Sequence, residues 1–303
     1  MSLRGTTLSG LRRREEYTAW LFITPVVLGI IAFQVYPTVF SMYVSMTDWN
    51  LLQAPRWVGL GNYIQLFTKD RFFFNAMRNT ATYALGTVLP GIGIGFLFAV
   101  LLNQDIAGKH LYRGIYFVPV VAPAVAVALL WQWIYEPSFG ILNSILNVIG
   151  IKGPPWLGST KWAMTAVIIE AVWAGLGFII VIYLAGLQGI SREYYEAAAI
   201  DGATALQCLW RITVPLVSPV TFFLLVTGVI GGFQDFSVPY IMTAGGPANA
   251  TQLIVMYLYN QGFQRQRMGQ ASAVAYCVFV VIVTLTIINF ATSRRWVFYE
   301  EER

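Results

Sequence analysis

Long uncharged runs separated by short polar stretches set the rhythm of this 303-residue chain. No Asp, Glu, Lys or Arg occurs in 17–47, 79–104, 114–135, 212–234 or 268–293, and 162–191 contains only Glu170. An apolar helix needs about 20 residues to cross the hydrocarbon of a bilayer, and each of these windows supplies them. The pattern therefore predicts six spans, near 18–44, 79–102, 115–135, 162–187, 214–235 and 268–292. Other uncharged windows fail the same test. Residues 137–151 and 49–55 are too short, and 236–264 is interrupted by GGPANATQ, a turn sequence. The expected fold is an all-α integral membrane protein with about six transmembrane helices.

These spans divide the chain into a basic arm over 1–16, a transmembrane body over 17–293 with a polar loop at 191–213, and a tail over 294–303. Pro25 and Pro37 are expected to kink the first span. The segment after it, 45–78, contains TDWN and WVGLGNY, whose Trp and Tyr suit the headgroup level. Gly91, Gly93 and Gly95 in the second span predict close helix packing, with a hinge as the alternative. Pro119 and Pro123 fall in the first turns of the third span, which ends in the aromatic run WQWIYEP. Between 136 and 161 the sequence predicts a short surface helix followed by a rigid turn at KGPPW. Gly245, Gly246 and Pro247 predict a second turn between the last two spans.

Composition supports this class. The chain is 57% hydrophobic and only 11% charged, where soluble domains run at about 25%. Its net charge of +5 is too small to predict nucleic-acid binding. The placement of the basic residues says more. Arg4, Arg12, Arg13, Arg14, Lys109, Arg113, Arg192, Arg211, Arg294, Arg295 and Arg303 fall on one side of the predicted topology, 11 against 8 on the other. That bias puts both termini and the 191–213 loop in the cytoplasm of a multi-pass membrane protein. The first run is too long for a signal peptide and lacks an A-x-A site, so it reads as an uncleaved span. Cys208 and Cys277 fall in a loop and a span, which predicts neither a disulfide nor a metal site. His110 reads as a solvated loop residue.

No catalytic constellation is visible. A phosphate-cradling loop needs Gly, four residues, then Gly-Lys-Ser/Thr. Here Gly108-Lys109 is preceded by Asn103 where the first Gly belongs and followed by His110. There is no Gly-x-Ser-x-Gly elbow and no cluster of His, Cys and carboxylates. The chain is therefore not expected to be an enzyme or to hold a cofactor.

The densest polar island is Ser191–Pro219. Ser191 suits an N-cap, and Glu193 and Glu196 suit the positive end of a helix dipole. Asp201-Gly202 breaks that helix, and 203–211 predicts a second short one that Pro215 and Pro219 then limit. The order Glu196-Ala197-Ala198, three residues, Gly202, nine residues, Ile212, one residue, Val214-Pro215 resembles the EAA signature of ABC-importer permeases. Val214 stands where the family usually has Leu. The flanking runs YLAGLQGIS (183–191), IDGAT (200–204) and DFSVPYIMTAGGPANAT (235–251) resemble its carbohydrate-import branch, the maltose-type and glycerol-3-phosphate-type permeases.

The resemblance covers nearly the whole chain and implies the transmembrane domain of a type I importer for a sugar or sugar-derived solute. It implies ATP and Mg on two separate ATP-binding subunits, a second homologous permease chain in a heterodimer, and an extracytoplasmic solute-binding protein. It gives Glu196 and Gly202 the shaping of a coupling helix, with Ala197, Ala198, Asp201 and Ala203 lining the ATPase contact; Asp201 also reads as a simple cap. The substrate-path candidates come from residue chemistry. Ionisable groups inside a span are costly and point to function. Glu170 is such a group, with Trp173 three residues on: an acid for sugar hydroxyls and a ring for the sugar's C–H face. Pairing of Glu170 with the partner subunit is the alternative. Gln234, Asp235 and Phe236 place polar groups among aromatics at the end of the fifth span, where capping is the alternative. An ion-coupled secondary transporter is the rival class, but it calls for paired intramembrane carboxylates or matching broken helices.

Overall fold

The computed structural model describes residues 8–104 and 108–298. The remaining parts of the predicted arm and tail lie outside the described residues, as does the side chain of His110. Helix α1 (Leu8–Ile30) passes through a π turn (Ile31–Val35) into α2 (Tyr36–Ser45). A two-stranded antiparallel ribbon follows, β1 (Thr47–Asp48) and β2 (Arg56–Trp57), with Thr47 opposite Trp57. Next come α3 (Gly61–Lys69), α4 (Arg71–Leu102), α5 (Lys109–Val121), α6 (Ala124–Ile134), α7 (Ile141–Val148) and α8 (Ala163–Gln188). The polar island contains α9 (Arg192–Ile200) and α10 (Ala205–Cys208), which a π turn (Leu209–Thr213) joins to α11 (Val214–Gln234). The chain ends with α12 (Ser237–Thr243), α13 (Ile254–Tyr259) and α14 (Met268–Ser293).

Five helical rods are long and apolar enough to cross a bilayer: Glu15–Ser45, Arg71–Leu102, Ala163–Gln188, Ala205–Gln234 and Met268–Ser293. The third predicted span, 115–135, is broken. Two segments, Gly114–Val121 and Ala124–Ile134, meet at 108°. Pro123 accounts for the break, because a proline ring excludes the helical region for the residue before it, and Ala122 is extended at φ −74°, ψ 141°. The single straight span expected over 115–135 is therefore corrected to a bent pair. The short surface helix expected in 136–161 is α7.

Prolines elsewhere are absorbed rather than obeyed. The second short helix expected at 203–211 does not stop before Pro215; it continues as one rod from Ala205 to Gln234. A wide π turn directly ahead of Pro215 shifts the hydrogen bonding, with the Val214 N–H reaching the Leu209 carbonyl, so the missing proline N–H leaves no broken ladder. The same arrangement precedes Pro37, where the Tyr36 N–H reaches Ile31. The second span also starts earlier than the charge pattern suggested, at Arg71. Asp70 caps it, its Oδ1 accepting from the N–H groups of Phe72 at 3.0 Å and Phe73 at 3.1 Å. At the other extreme, the helix of the first span begins by Leu8, inside the stretch read as an arm.

Helices α4, α8 and α11 form the centre, with α5 packed on α8 and α14 on α2 and α11. Lipid tails are as apolar as leucine, so helices in a membrane are held by close packing rather than by exclusion from water. Small residues provide that packing. A Cβ on Gly95 would sit 2.4 Å from Ile179 Cγ2, and one on Gly232 would sit 2.9 Å from Ala84 Cβ. Gly91 also faces Ile179, whereas Gly93 faces open space, so the predicted packing role holds for two of the three glycines. Gly177 brings the α8 backbone against the α5 backbone: its Cβ would lie 2.2 Å from the Tyr116 carbonyl oxygen.

The ends differ in character. At the ribbon end, Asn62 Nδ2 donates to the carbonyls of Ser45 and Thr47, both at 2.8 Å, and the Met268 N–H donates to Trp49 O at 2.9 Å. Asn79 Nδ2 reaches Asn249 O at 2.9 Å and Gln252 O at 3.2 Å, fixing the Gly245–Pro247 turn to α4. At the opposite end, Leu102, Leu184, Leu187 and Val217 belong to an apolar cluster between α4, α8 and α11. The tail folds back there, with the Phe298 N–H on Ser218 Oγ at 2.8 Å and Trp296 edge-on to Phe222.

Replacing Gly177 by Val forces its side chain into a backbone carbonyl, an overpacking worth roughly 1–3 kcal/mol. Gly177→Val should lower the thermal midpoint of the detergent-solubilised protein by several degrees, while Gly93→Val, with free space around it, leaves the midpoint close to wild type.

Candidate functional site

A cavity of about 400 Å³ lies between α4, α8 and α11 at the level where α11 ends. Five glycines line it: Gly175 and Gly231 leave open space, whereas Gly91, Gly228 and Gly232 pack closely on Ile179, Val88 and Ala84. Its polar groups come from all three helices and the residue just beyond α11. They are Tyr83 and Thr87 from α4, Glu170 from α8, Thr227 from α11 and Asp235. Phe178 supplies an aromatic face.

Glu170 is the unusual member. It is 1% exposed, and neither carboxylate oxygen has a hydrogen-bond partner. A buried, unsatisfied polar atom is expensive, on the order of 1–3 kcal/mol and more for a charged group. Asp235 is treated differently. The chain leaves the helix at this residue, with φ −67° and ψ 138°, and its Oδ2 accepts a short hydrogen bond from the Tyr83 hydroxyl. So the cavity holds two acids, one engaged and one unengaged.

The five substrate-path candidates separate. Glu170 and Asp235 are brought to the same cavity. Trp173 is not; it packs edge-on against Trp131 of α6, ring centroids 5.5 Å apart. Trp173 is a helical neighbour of Glu170, three residues on, but its ring is taken up by Trp131 of α6 and it lies outside the cavity lining. Phe178, two turns beyond Glu170, occupies the aromatic position instead. Gln234 is exposed and outside the cavity lining, and Phe236 stacks on Tyr240 at 4.9 Å and leans on Tyr259 at 5.3 Å. Sequence reasoning passed over Tyr83, Thr87 and Thr227. The Tyr83–Thr87 pair, four residues apart, was readable as a polar stripe in an apolar helix; its convergence with Asp235 depends on a contact across 152 residues.

The second feature is the polar island itself. Ser191 caps α9, its Oγ accepting from the Glu193 N–H at 3.3 Å. Gly202 turns the chain at φ +74°, a left-handed value that suits glycine. Thr204 and Gln207 then form a capping box that starts α10. No side chain of α9 is buried. Glu196, Ala197, Asp201 and Gly202 are exposed, and Ala198 and Ala203 are half-buried. Ile200, Leu206 and Trp210 are 87%, 64% and 63% exposed, an apolar surface on a polar element. The Tyr195 hydroxyl meets Thr213 Oγ1 at 3.0 Å, tying α9 to the start of the α11 rod. Among the described residues, no group of three or more His, Cys, Asp or Glu could hold a metal ion.

Comparison with known proteins agrees with this architecture. Residues 91–297 match the family model described as "binding-protein-dependent transport system inner membrane component". The chain is 35% identical to the probable ABC transporter permease protein YesP of Bacillus subtilis, over 96% of this chain and 94% of the relative. It is 30% identical to the trehalose/maltose transport system permease protein MalF of Thermococcus litoralis, over 94% and 97% respectively. Among solved structures, it resembles a chain of a bacterial ABC transporter involved in the import of the acidic polysaccharide alginate. That match has a TM-score of 0.80 and 26% identity, and covers 93% of this chain and 96% of the other. The resemblance read from the Glu196–Pro215 spacing is thus upheld, and the chain belongs to the binding-protein-dependent transport system inner membrane component family.

Proposed function

We propose that this permease is the membrane subunit of an ATP-driven importer that carries a sugar or sugar-derived solute into the cytoplasm through the Glu170 cavity. One observation carries the reading. The second half of the exposed element, Ala205–Thr213, is the beginning of the same rod that lines the cavity, with no break between Ala205 and Gln234, and the Tyr195–Thr213 contact ties α9 to it. At 1.5 Å per residue, a displacement at Ala205 acts about 33 Å away at Thr227 without an intervening hinge. A partner that moves α9 and α10 therefore moves one wall of the cavity.

The partner is a pair of ATP-binding subunits, because the chain lacks a phosphate-binding loop of its own. Ile200, Leu206 and Trp210 supply apolar area for that contact, and Glu196 supplies a carboxylate for a basic group across it. Gly202 sets the angle between the two helices. The family description supports a solute-binding protein that delivers the cargo, and the ribbon end, opposite the 191–213 loop, is where it would dock. A second, homologous permease completes the translocation path as a heterodimer. Both termini and the 191–213 loop lie in the cytoplasm, in keeping with the Lys/Arg bias. ATP can drive transport only by favouring one conformation over another, so the two cavity states must differ in affinity for the solute.

A sugar suits the lining. The unengaged Glu170 carboxyl group accepts hydroxyl hydrogen bonds, the Thr87 and Thr227 hydroxyl oxygens offer further acceptors, and Phe178 covers an apolar C–H face. Relatives named for disaccharide transport support the same class.

Proline holds φ near −65°, which Gly202 at +74° cannot accept. In the assembled transporter, Gly202→Pro and Glu196→Lys should each lower uptake at least tenfold, with normal amounts of the protein in the membrane; full uptake in both variants contradicts the coupling role. Orientation has a separate test. A membrane-impermeant maleimide should modify half-buried Cys208 in inverted vesicles and not in intact cells; the reverse pattern would place the 191–213 loop outside.

A further inference from the structure

We infer that the Glu170 cavity selects by charge: it takes a donor-rich solute bearing hydroxyl or ammonium groups and turns away solutes bearing carboxylate or phosphate. The inference rests on the proposal that this cavity lies on the solute path. Its observations concern sign rather than shape. Two carboxyl groups, Glu170 and Asp235, line the cavity, and among the described residues lining it there is no Lys, Arg or His. The remaining polar lining consists of Tyr83, Thr87 and Thr227, which are hydroxyls. Tyr83 already donates its proton to Asp235, and Thr87 Oγ1 donates to the Tyr83 carbonyl at 2.9 Å within its own helix. Thr227 Oγ1 likewise donates to Phe223 O at 2.7 Å. The lining's donors are committed to the protein, and its free capacity is acceptor capacity, concentrated on the two unpartnered oxygens of Glu170.

A solute that satisfies Glu170 must therefore bring donors. Hydroxyl groups and ammonium groups do so. A carboxylate or phosphate offers acceptors rather than donors, and whatever negative charge the two acids carry repels it. A solved relative with the same fold imports an acidic polysaccharide, so the architecture does not itself fix the sign of the cargo. Here the sign comes from Glu170 and Asp235.

The test works whichever solute is carried. Gly231 and Gly175 line the cavity from α11 and α8, and a Cβ at either meets nothing within 4 Å. A single cysteine is placed at one or the other, with Cys208 and Cys277 replaced by Ser. In the assembled transporter in lipid nanodiscs, modification rates are measured with a cationic trimethylammonium-ethyl and an anionic sulfonatoethyl methanethiosulfonate, each normalised to its rate with free 2-mercaptoethanol. Clefts lined with one sign of charge concentrate the opposite ion by about 10-fold or more, so the normalised cation-to-anion ratio should be at least about tenfold. It should fall at least threefold in Glu170→Gln and approach one in Glu170→Gln/Asp235→Asn. A ratio of one or below at both cysteines, or a ratio that neither variant lowers, overturns charge selection. The path proposal is read separately in the same samples, from the rate with ATP and vanadate trapped against the nucleotide-free rate. A cavity on the path changes its reagent access between the two states; equal rates would count against the path whatever the charge ratio.

Discussion

Close approach of α8 to α4 and α5 is the constraint from which the rest of the structure follows. In a bilayer no water is expelled when two apolar helices meet, so their association depends on how well the surfaces fit. Gly95 admits Ile179, Gly177 admits the Tyr116 carbonyl, and Gly232 lets α11 rest on Ala84. Each contact replaces a side chain with backbone proximity. The same use of glycine leaves Gly175 and Gly231 without a neighbour to meet and opens the cavity. Packing and void are two outcomes of one residue type, decided by whether a side chain from the facing helix fills the gap.

That arrangement gives the polar residues their meaning. Glu170 is held on a rigid helix in a space where nothing in the described chain answers it. Asp235 is held by Tyr83 at the point where α11 unwinds, so the wall of the cavity and the end of the rod are the same place. The other end of the rod carries the exposed helical turn around Gly202. In the function proposed above, a mechanical link of this kind joins a surface that another chain pushes to a site that changes shape. The π turn before Pro215 preserves the link, because it lets a proline-containing sequence run as one helix.

Much of this was legible in the sequence, and the failures have physical causes. Span positions followed from uncharged length alone, and the turn at Gly202 and the cap at Ser191 from local residue chemistry. Prolines were the main source of error. Pro123 breaks a helix and Pro215 does not, because Ala122 adopts the extended backbone ahead of its proline while the residues before Pro215 widen into a π turn. Neither outcome is written in the residue types. The cavity was half legible: Glu170 and Asp235 stood out as acids beside or within apolar runs. Trp173 and Phe236 lie outside the cavity lining, because the partners Trp131 and Tyr240 that take up their rings emerge only from packing.

The central claim is that motion at the Ser191–Thr213 element reaches the cavity through an unbroken α11. Pulsed spin-resonance distances in the assembled transporter test it directly, with one label pair across the cavity at Gly175 and Gly231 and a second pair along the rod at Leu206 and Gly231. The account predicts that trapping ATP on the partner subunits shifts the cross-cavity distance by several ångströms while the distance along the rod stays fixed. A cross-cavity distance indifferent to ATP, or a rod that changes length, would contradict it.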